Sequence, residues 1–217
     1  MVDWSTAASL GTAAGTLILA VATFASVRSS ARSSRIAEQA LSLNLRPLLH
    51  PAQYTDPGQK VRFGDGRYVK VENGLAAVER DGASIYLVIP LRNAGSGLAV
   101  LHGWRVDVTP RFDPTGANEM ERPRPEDFRR QSRDLYVPAG DVGFWQGAIR
   151  LTDDSFRAAA ESALDAHEPI TIDLLYGDEV GGQRTITRFV LDPREQGDVY
   201  TQAVVRHWYL DAPGPRE

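Results

Sequence analysis

The sequence predicts a mainly β protein: an immunoglobulin-like two-sheet β-sandwich with one short helix, preceded by an N-terminal transmembrane helix and a helical neck. Three observations lead to this prediction. Residues 5–27 carry no charge, apolar residues recur at every second position after Pro47, and 19 glycines and 13 prolines supply turns between short segments. The expected organisation is a short non-cytoplasmic tail at 1–4, a transmembrane helix at 5–27, a basic helical neck at 28–46, the sandwich at 47–211 and a flexible tail at 212–217.

The uncharged stretch at residues 5–27 is long enough to cross a membrane. As a helix it rises about 1.5 Å per residue and reaches roughly 34 Å, which exceeds a hydrocarbon core of about 30 Å. A tryptophan at its start suits the headgroup region, because its ring is amphipathic. The residues expected to form the membrane anchor are Trp4, Leu17, Ile18, Leu19, Val21 and Phe24.

Two other interpretations of this stretch stay open. A cleaved signal peptide would use the small residues at 20–22 as its cleavage site, but the residues before the stretch include Asp3 and no lysine or arginine. A buried core helix would need apolar partners on every side, because the stretch has no polar face. We therefore favour an uncleaved membrane span.

Three arginines set the expected orientation of the span. Arg28, Arg32 and Arg35 follow it, and no basic residue precedes it. Because basic residues that flank a span stay in the cytoplasm, the C-terminal domain is expected on the cytoplasmic side of the plasma (inner) membrane. The same three side chains are candidates for contact with anionic lipid headgroups.

Two further features of the N-terminal region concern helix packing. Gly11 and Gly15 have the G-x-x-x-G spacing with which two membrane helices approach closely, which points to a homodimer through the transmembrane helix. The neck continues as a helix with an apolar stripe at Ile36 and Ala40. It is expected to end at Arg46-Pro47, because the residue before proline avoids the helical conformation.

Three segments after the neck carry the clearest strand patterns. In the first, the residues predicted to face inward are Ile85, Leu87, Ile89 and Leu91. In the second, they are Val100, His102, Trp104, Val106 and Val108. In the third, they are Ile170, Ile172, Leu174 and Tyr176, followed by a turn at GDEVGGQ and a returning strand at 184–191. Shorter strands are predicted at 48–53, 67–72, 135–137, 142–151 and 199–209.

One helix and one long connection interrupt the strands. In DDSFRAAAESALDA, Asp153 is the expected N-cap, and Phe156, Ala160 and Leu164 share one face. The charged stretch at 111–134 is either a functional excursion or a mobile connection. Within it, ERPRPEDFRRQSR mixes both signs of charge and is interpreted as a solvated loop or as a docking segment.

The stretch LRNAGSGLAV predicts a structural turn between two strands. Gly95 and Gly97 would supply positive φ angles, and the Asn93 side chain would bond to the backbone two residues on. A phosphate cradle is the alternative, but it requires a helix after the glycines, and a strand is predicted there.

The same turn carries a resemblance. Its N-x-G-x-G-x-A pattern, the neck ending in Arg46-Pro47 and the hairpin YGDEVG together resemble uncharacterised bacterial single-pass membrane proteins of the high-GC, actinobacterial type. Many members of that group have proline where this chain has Leu98. The resemblance implies an N-terminal membrane helix, a basic neck and a β-sandwich domain, and it implies no activity.

No pattern in the sequence indicates a catalytic residue, a cofactor site or a metal site. Ser96 lies between two glycines and lacks the following helix that a nucleophile elbow needs. Asp178 and Glu179 at a hairpin tip are candidate calcium ligands, with further oxygen ligands still to be found. The histidines show no metal-binding spacing: His50, His102, His167 and His207.

These observations favour an interaction protein. Residues 47–217 contain 20 basic and 26 acidic residues, a net charge of −6, which argues against nucleic acid as a partner. An anchored domain without a catalytic pattern is expected to be a protein-interaction or scaffold module that contacts the lipid bilayer and a membrane or cytoplasmic protein. The alternatives are a membrane-tethered hydrolase with its site near residues 93–102 and the 111–134 loop, or an exported binding domain if the N-terminus is cleaved.

Overall fold

A computed structural model describes residues 4–107, 121–150, 156–195 and 197–212. The side chains of residues 4–12, 38–39, 41–44 and 159 lie outside this description. The expected inward residue Val108 and the expected N-cap Asp153 also fall outside it. The chain forms two compact units, one that ends at Asn44 and one that begins at Leu45.

The first unit is a single helix, α1, which runs without a break over Trp4–Asn44. Its part Ala13–Ala37 has a mean hydropathy of 1.3 and is long and apolar enough to span a membrane. Because α1 is continuous, the expected span and neck are one helix rather than two elements. The described anchor residues are all exposed, at 63–69% of their surface: Leu17, Ile18, Leu19, Val21 and Phe24.

The remaining proposed residues of the first unit lie on the same helix. Arg28, Arg32 and Arg35 are exposed on α1. Trp4 and Gly11 also lie in α1, but only their backbone is described. Helix-to-helix pairing is a property of two chains, so the homodimer through the G-x-x-x-G spacing stays a prediction.

The second unit is mainly β, and apart from α1 its described residues contain one α-helix. The elements are β1 Leu49–Pro51, β2 Gln59–Arg62, β3 Tyr68–Val71, β4 Ala76–Asp81, β5 Ser84–Asn93, β6 Ala99–Asp107, β7 Arg129–Arg130, β8 Tyr136–Val137, β9 Val142–Ile149, α2 Arg157–Ala166, β10 Ile170–Gly177, β11 Thr185–Pro193 and β12 Val199–Tyr209. Strands β2, β4 and β7 are absent from the sequence prediction, because none of them has a long alternating apolar pattern.

Ten strands form one large antiparallel sheet, and β2 and β3 form a separate hairpin. Strand β5 pairs with β1 and β4 along one edge and with β9 along the other. Strand β6 pairs with β10, which continues through β11 to β12, while β7 and β8 share the other edge of β6. A short contact between β12 and β4 links the two groups of strands.

The largest of three hydrophobic clusters, the main core, lies between these two groups of strands. Trp104 of β6 and Trp145 of β9 meet edge to face with their ring centroids 5.3 Å apart, although their strands are not paired. The sheet therefore folds over its own apolar face. As the alternation predicts, the core includes Ile85, Leu87, Ile89 and Leu91 from β5 and Ile170, Ile172, Leu174 and Tyr176 from β10.

The inward face of β6 differs from the prediction. Val100 and His102 are only partly buried, whereas Leu101 and Trp104 belong to the core. The register of β6 against β10 shifts immediately before Tyr176, which leaves His102 as the extra residue of a β-bulge. A bulge moves every residue on one side of it to the opposite face, so the regular alternation is wrong here.

The helix α2 packs on the core as its pattern predicts. Ala160 is fully buried, and Phe156 and Leu164 pack against the core from the same side. The helix ends at His167, which adopts a left-handed conformation with φ 53°.

A charged network lies on the opposite face of the sheet from this core. Asp173 of β10 has no exposed surface and receives two hydrogen bonds from Arg188 of β11, at 2.7 and 2.8 Å. Arg105 of β6 lies 3.2 Å from the same carboxylate. Burial raises the pKa of Asp173, while Arg188 and Arg105 act to lower it. The network ties three neighbouring strands together through a carboxylate that has little access to water.

We expect Asp173→Asn to lower the free energy of unfolding by about 3–5 kcal/mol, because it removes the buried carboxylate that bonds Arg188 and leaves only the partly exposed Asp107, at 3.5 Å. The measurement is urea unfolding of the detergent-solubilised chain, followed by tryptophan fluorescence. Asp165→Asn is the control, since Asp165 pairs with Arg80 at 2.8 Å on the exposed surface and should matter little. Equal losses in the two variants would contradict the role given to burial.

Candidate functional site

The turn at residues 93–97 is closed by its own hydrogen bonds. The buried Asn93 side chain accepts bonds from the backbone N–H groups of Leu48 (3.1 Å) and Gly95 (3.0 Å). Its amide nitrogen donates to the carbonyl oxygens of Gly97 (2.7 Å) and Val137 (3.0 Å). The side chain has used its main hydrogen-bonding capacity, so it fixes structure and has little left for a ligand.

The glycines of this turn have a different role from the predicted one. Neither Gly95 nor Gly97 has a positive φ. A Cβ atom on Gly95 would lie under 3.0 Å from backbone atoms of Arg46 and Leu48, and one on Gly97 would overlap Leu45. The prediction of positive φ is therefore wrong, and the glycines are needed because the chain entering the β domain packs directly against the turn.

This packing also bears on the phosphate-cradle alternative. The face of the turn that glycine leaves open is covered by the backbone of residues 45–48. The element that follows the turn is the strand β6 rather than a helix. Both observations favour the structural interpretation of the turn, because an anion cradle needs free backbone N–H groups at a helix start.

We expect Gly97→Ala to lower the free energy of unfolding by about 1–3 kcal/mol, because the added methyl group forces the backbone at Leu45 away from the turn. Gly182→Ala is the matched control: its Cβ atom would meet the Asp178 carboxylate at 3.4 Å, an ordinary contact. The measurement is again urea unfolding. A Gly97→Ala variant as stable as the Gly182→Ala variant would show that the turn is not tightly packed.

The histidines of the described chain contact different neighbours, and His207 shares a hydrogen bond of 2.8 Å with the Thr187 hydroxyl through its Nδ1 atom. His102 has a buried Nε2 atom with no hydrogen-bond partner in the described chain. Burial and nearby Arg184 lower its pKa, and Asp178 partly offsets this. His50 and His207 stack edge to face with ring centroids 5.5 Å apart. Among the described residues, no group of three or more histidine, cysteine or acidic side chains is arranged to hold a metal ion.

The proposed calcium ligand Asp178 is used by its own hairpin. Its carboxylate accepts hydrogen bonds from the backbone N–H groups of Val180 (3.1 Å) and Gly182 (2.7 Å). These bonds stabilise the turn between β10 and β11.

The strongest candidate site is a cleft of about 220 Å³ on the open side of the sheet. Its floor is the edge of β9, one wall is the tip of the β2–β3 hairpin, and the other wall is the segment that contains β7. We call it the arginine cleft, after Arg129, Arg130, Arg133 and Arg150. The remaining lining residues are Phe63, Gly64, Trp104, Gln131, Ser132, Gln146, Gly147 and Ala148.

Two of the four arginines are held by neighbours. Arg129 lies over the rings of Trp104 (4.9 Å) and Phe156 (4.7 Å), as expected for cation–π contacts. Arg150 forms an ion pair with Asp65 at 3.2 Å. A hydrogen bond from Tyr86, with a further contribution from Arg150, lowers the pKa of Asp65, so this carboxylate stays charged at neutral pH.

The other two arginines are unpaired in the described part of the chain. Arg130 and Arg133 are exposed, and neither has a carboxylate oxygen within 4.0 Å among the described residues. Residues 47–217 carry a net charge of −6, so these two arginines form a local positive patch on an acidic domain. An exposed cluster of this kind attracts anionic groups, and arginine binds carboxylates in a two-bond geometry.

Two glutamines order the polar floor of the cleft. Gln131 donates to the carbonyl oxygens of Arg133 (2.8 Å) and Gln146 (3.2 Å), and its own oxygen accepts from the Trp145 ring at 3.2 Å. Gln146 is 7% exposed and donates its amide to Asp134. Its Oε1 atom is buried and has no partner in the described chain. The floor therefore offers one unsatisfied hydrogen-bond acceptor.

Sequence reasoning found part of this site and missed its location. It identified ERPRPEDFRRQSR as a solvated loop or a docking segment, but not as a strand. In the structure, Arg129 and Arg130 form β7 against Trp104 and Gly103 of β6. Gly103 permits the approach, since its Cβ atom would lie 2.9 Å from the Arg129 carbonyl oxygen. The one available signal was RRQSR, in which three arginines lie within five residues.

Comparison of the chain with protein-family models, with curated proteins and with solved structures finds no match. Arguments about function therefore rest on the chain's own geometry.

Proposed function

We propose that this protein is a membrane-anchored interaction module that docks an acidic segment of a protein partner in the arginine cleft. The observation that carries the proposal is a group of four arginines on one cleft of an acidic domain, three from residues 129–133 and one, Arg150, just after β9. Two of them, Arg130 and Arg133, have no carboxylate partner among the described residues. Electrostatic complementarity of this kind selects acidic partners and speeds their encounter.

The anchor is the helix α1, which we propose spans the plasma (inner) membrane once. Support comes from the stretch Ala13–Ala37, which is long and apolar enough to span a membrane and carries no charge before Arg28, and from its exposed side chains. The exposed arginines Arg28, Arg32 and Arg35 support a cytoplasmic position for the β domain and contact with anionic headgroups. Small residues at positions 11 and 15 support close packing of two such helices as a homodimer.

We also propose that the β domain has the immunoglobulin-like two-sheet sandwich as its specific fold. The pairing of β1 with β5 and of β5 with β9 corresponds to strands A, B and E of that fold. The pairing of β6 with β10 and of β10 with β11 corresponds to strands C, F and G. A buried tryptophan on strand C is a further shared feature, and here it is Trp104.

An anchor and a cleft of modest size work together in this proposal. A membrane tether confines the domain to the bilayer surface and raises its effective concentration near other membrane-bound proteins. A weak, charge-driven contact at the cleft is then sufficient for association.

We expect the β domain to resist added protease in intact cells and to be cleaved in inverted membrane vesicles. The chain should also stay with membranes in high salt and be released by detergent. The measurement is immunodetection of a C-terminal tag after protease treatment and after membrane washing. Release by salt alone, or cleavage in intact cells, would contradict the proposed anchor or its orientation.

We expect the double variant Arg130→Glu/Arg133→Glu to lose its cross-links to membrane-associated partners, because it reverses the charge of the cleft. Cross-linking is carried out in native membranes and read by mass spectrometry. The control is Arg62→Glu/Arg194→Glu, which changes the net charge equally at exposed positions that do not line the cleft. The same cross-links from all three proteins would contradict docking at the cleft, and their absence from all three would contradict the interaction module itself.

A further inference from the structure

We infer that the acidic partner segment binds as an extended strand that adds to the free edge of β9. This inference rests on the proposed function and concerns how the partner is held. Three observations support it. The backbone groups of alternate β9 residues point away from β5, one buried acceptor lies in the cleft floor, and two unpaired arginines lie beside them.

The pairing of β9 with β5 determines which β9 residues direct their backbone N–H and C=O groups away from β5. In an antiparallel pair, residues alternate between bonding to the neighbouring strand and pointing away from it. The N–H of Asn93 donates to the Asp141 carbonyl at 3.0 Å, so the odd-numbered residues of β5 bond toward β9. The carbonyl of Pro90 accepts from the N–H of Ala52 at 3.0 Å on the opposite edge of β5. The even-numbered residues of β5 therefore bond away from β9, as the alternation requires.

The register then shows which groups of β9 face the cleft. Gln146 lies opposite Val88, and Ala148 lies opposite Tyr86, both even-numbered residues of β5. The backbone N–H and C=O groups of Gln146 and Ala148 therefore point away from β5. The side chain of Gln131 confirms this direction, because it donates to the Gln146 carbonyl from the cleft side at 3.2 Å.

The edge of β9 retains free backbone groups at the floor of the cleft. The Gln146 carbonyl is taken by Gln131, but the N–H and C=O of Ala148 have no partner in the described chain. Such an edge is a template for another strand, and proteins commonly block edges with lysine, proline or a covering segment. The residues of β9, VGFWQGAI, include neither lysine nor proline.

The buried Oε1 atom of Gln146 is the second, independent observation. It lies in a side chain that is 7% exposed and lines the cleft, and it has no donor in the described chain. A buried acceptor without a donor is destabilising, so a ligand that brings an N–H group there removes that penalty and gains affinity. Peptide backbones supply N–H donors.

The mixture of groups selects a peptide over a simple anion. An anionic phosphate could accept from Arg130, Arg133 and the N–H of Ala148, but its oxygens supply no donor for the Ala148 carbonyl or for the buried Oε1 atom of Gln146. An extended acidic peptide supplies carboxylates, N–H donors and C=O acceptors together. In a strand, alternate side chains return to one face about every 7 Å, so successive acids can meet successive arginines.

The test uses the full-length protein in detergent micelles and two synthetic probes. The first is a short blocked peptide in which valine and glutamate alternate. The second has the same sequence with N-methyl groups on the residues whose N–H would face β9, which keeps the charge and removes the donors. Binding is measured by calorimetry and by hydrogen exchange at the amide of Ala148.

We expect the first peptide to bind and to protect the Ala148 amide, and the second to bind at least about tenfold more weakly, since its N-methyl groups remove the hydrogen bonds that would hold it to β9. Ala148→Pro should abolish binding while keeping the fold, because it removes an N–H that points away from β5. The unfolding midpoint checks its fold, and if this variant does not fold, the comparison of the two peptides decides alone.

Two results would overturn the inference in distinguishable ways. Equal binding of both peptides, with loss in Arg130→Gln/Arg133→Gln and no loss in Arg62→Gln/Arg194→Gln, would leave acidic docking intact and exclude strand addition. No binding of either peptide would overturn strand addition, and the cross-linking of native partners would then judge the interaction module separately.

Discussion

The side chain of Asn93 is the interaction on which the organisation of the β domain depends. Its four hydrogen bonds join three parts of the chain: the segment that enters the domain, the turn between β5 and β6, and the end of β8. A buried amide can satisfy four bonds only if all of its partners hold their positions. The glycines of the turn belong to the same arrangement, because they let the entering chain lie directly against it. The pairing of β5 with both β1 and β9 starts at this residue. This pairing determines which backbone groups of β9 point away from β5.

Charge is used in two different ways on this domain. Asp173 and Arg188 are almost completely buried and bonded to each other, so they join strands at the cost of desolvation. Arg130 and Arg133 are exposed and without a carboxylate in the described chain. The first pair is complete within the fold and has no capacity for a ligand. Arg130 and Arg133 therefore remain available to anionic groups of a partner, as charged residues on recognition surfaces are.

The sequence predicted those parts of the fold that depend on local alternation. Ile85 to Leu91 in β5 and Ile170 to Tyr176 in β10 face the core as their period requires, and the hairpin between β10 and β11 follows from its glycines. The bulge at His102 was not predictable, because a shift of register depends on the partner strand. The role of Gly97 also escaped prediction, since it arises from contact with Leu45, far away in sequence.

The sequence shows which residue types the candidate site contains, but not where they meet in the fold. The run RRQSR was visible in the sequence, but the cleft exists because residues near positions 63, 130 and 147 meet in space. Strand β7 is two residues long and has no apolar period, so propensity carries no signal for it. The unsatisfied acceptor on Gln146 depends on the orientation that Asp134 imposes on its amide, which no pattern of residue types encodes.

The arginines beside β9 also bear on how copies of this domain behave toward one another. An uncovered strand edge invites a second, identical edge, and the result is association without limit. Here such a pairing would bring Arg130 and Arg133 of each molecule toward the same charges of the other, and like charges at short range repel. The flanking guanidinium groups therefore make the edge self-avoiding. This protection weakens as ionic strength rises, because salt shortens the range of the repulsion.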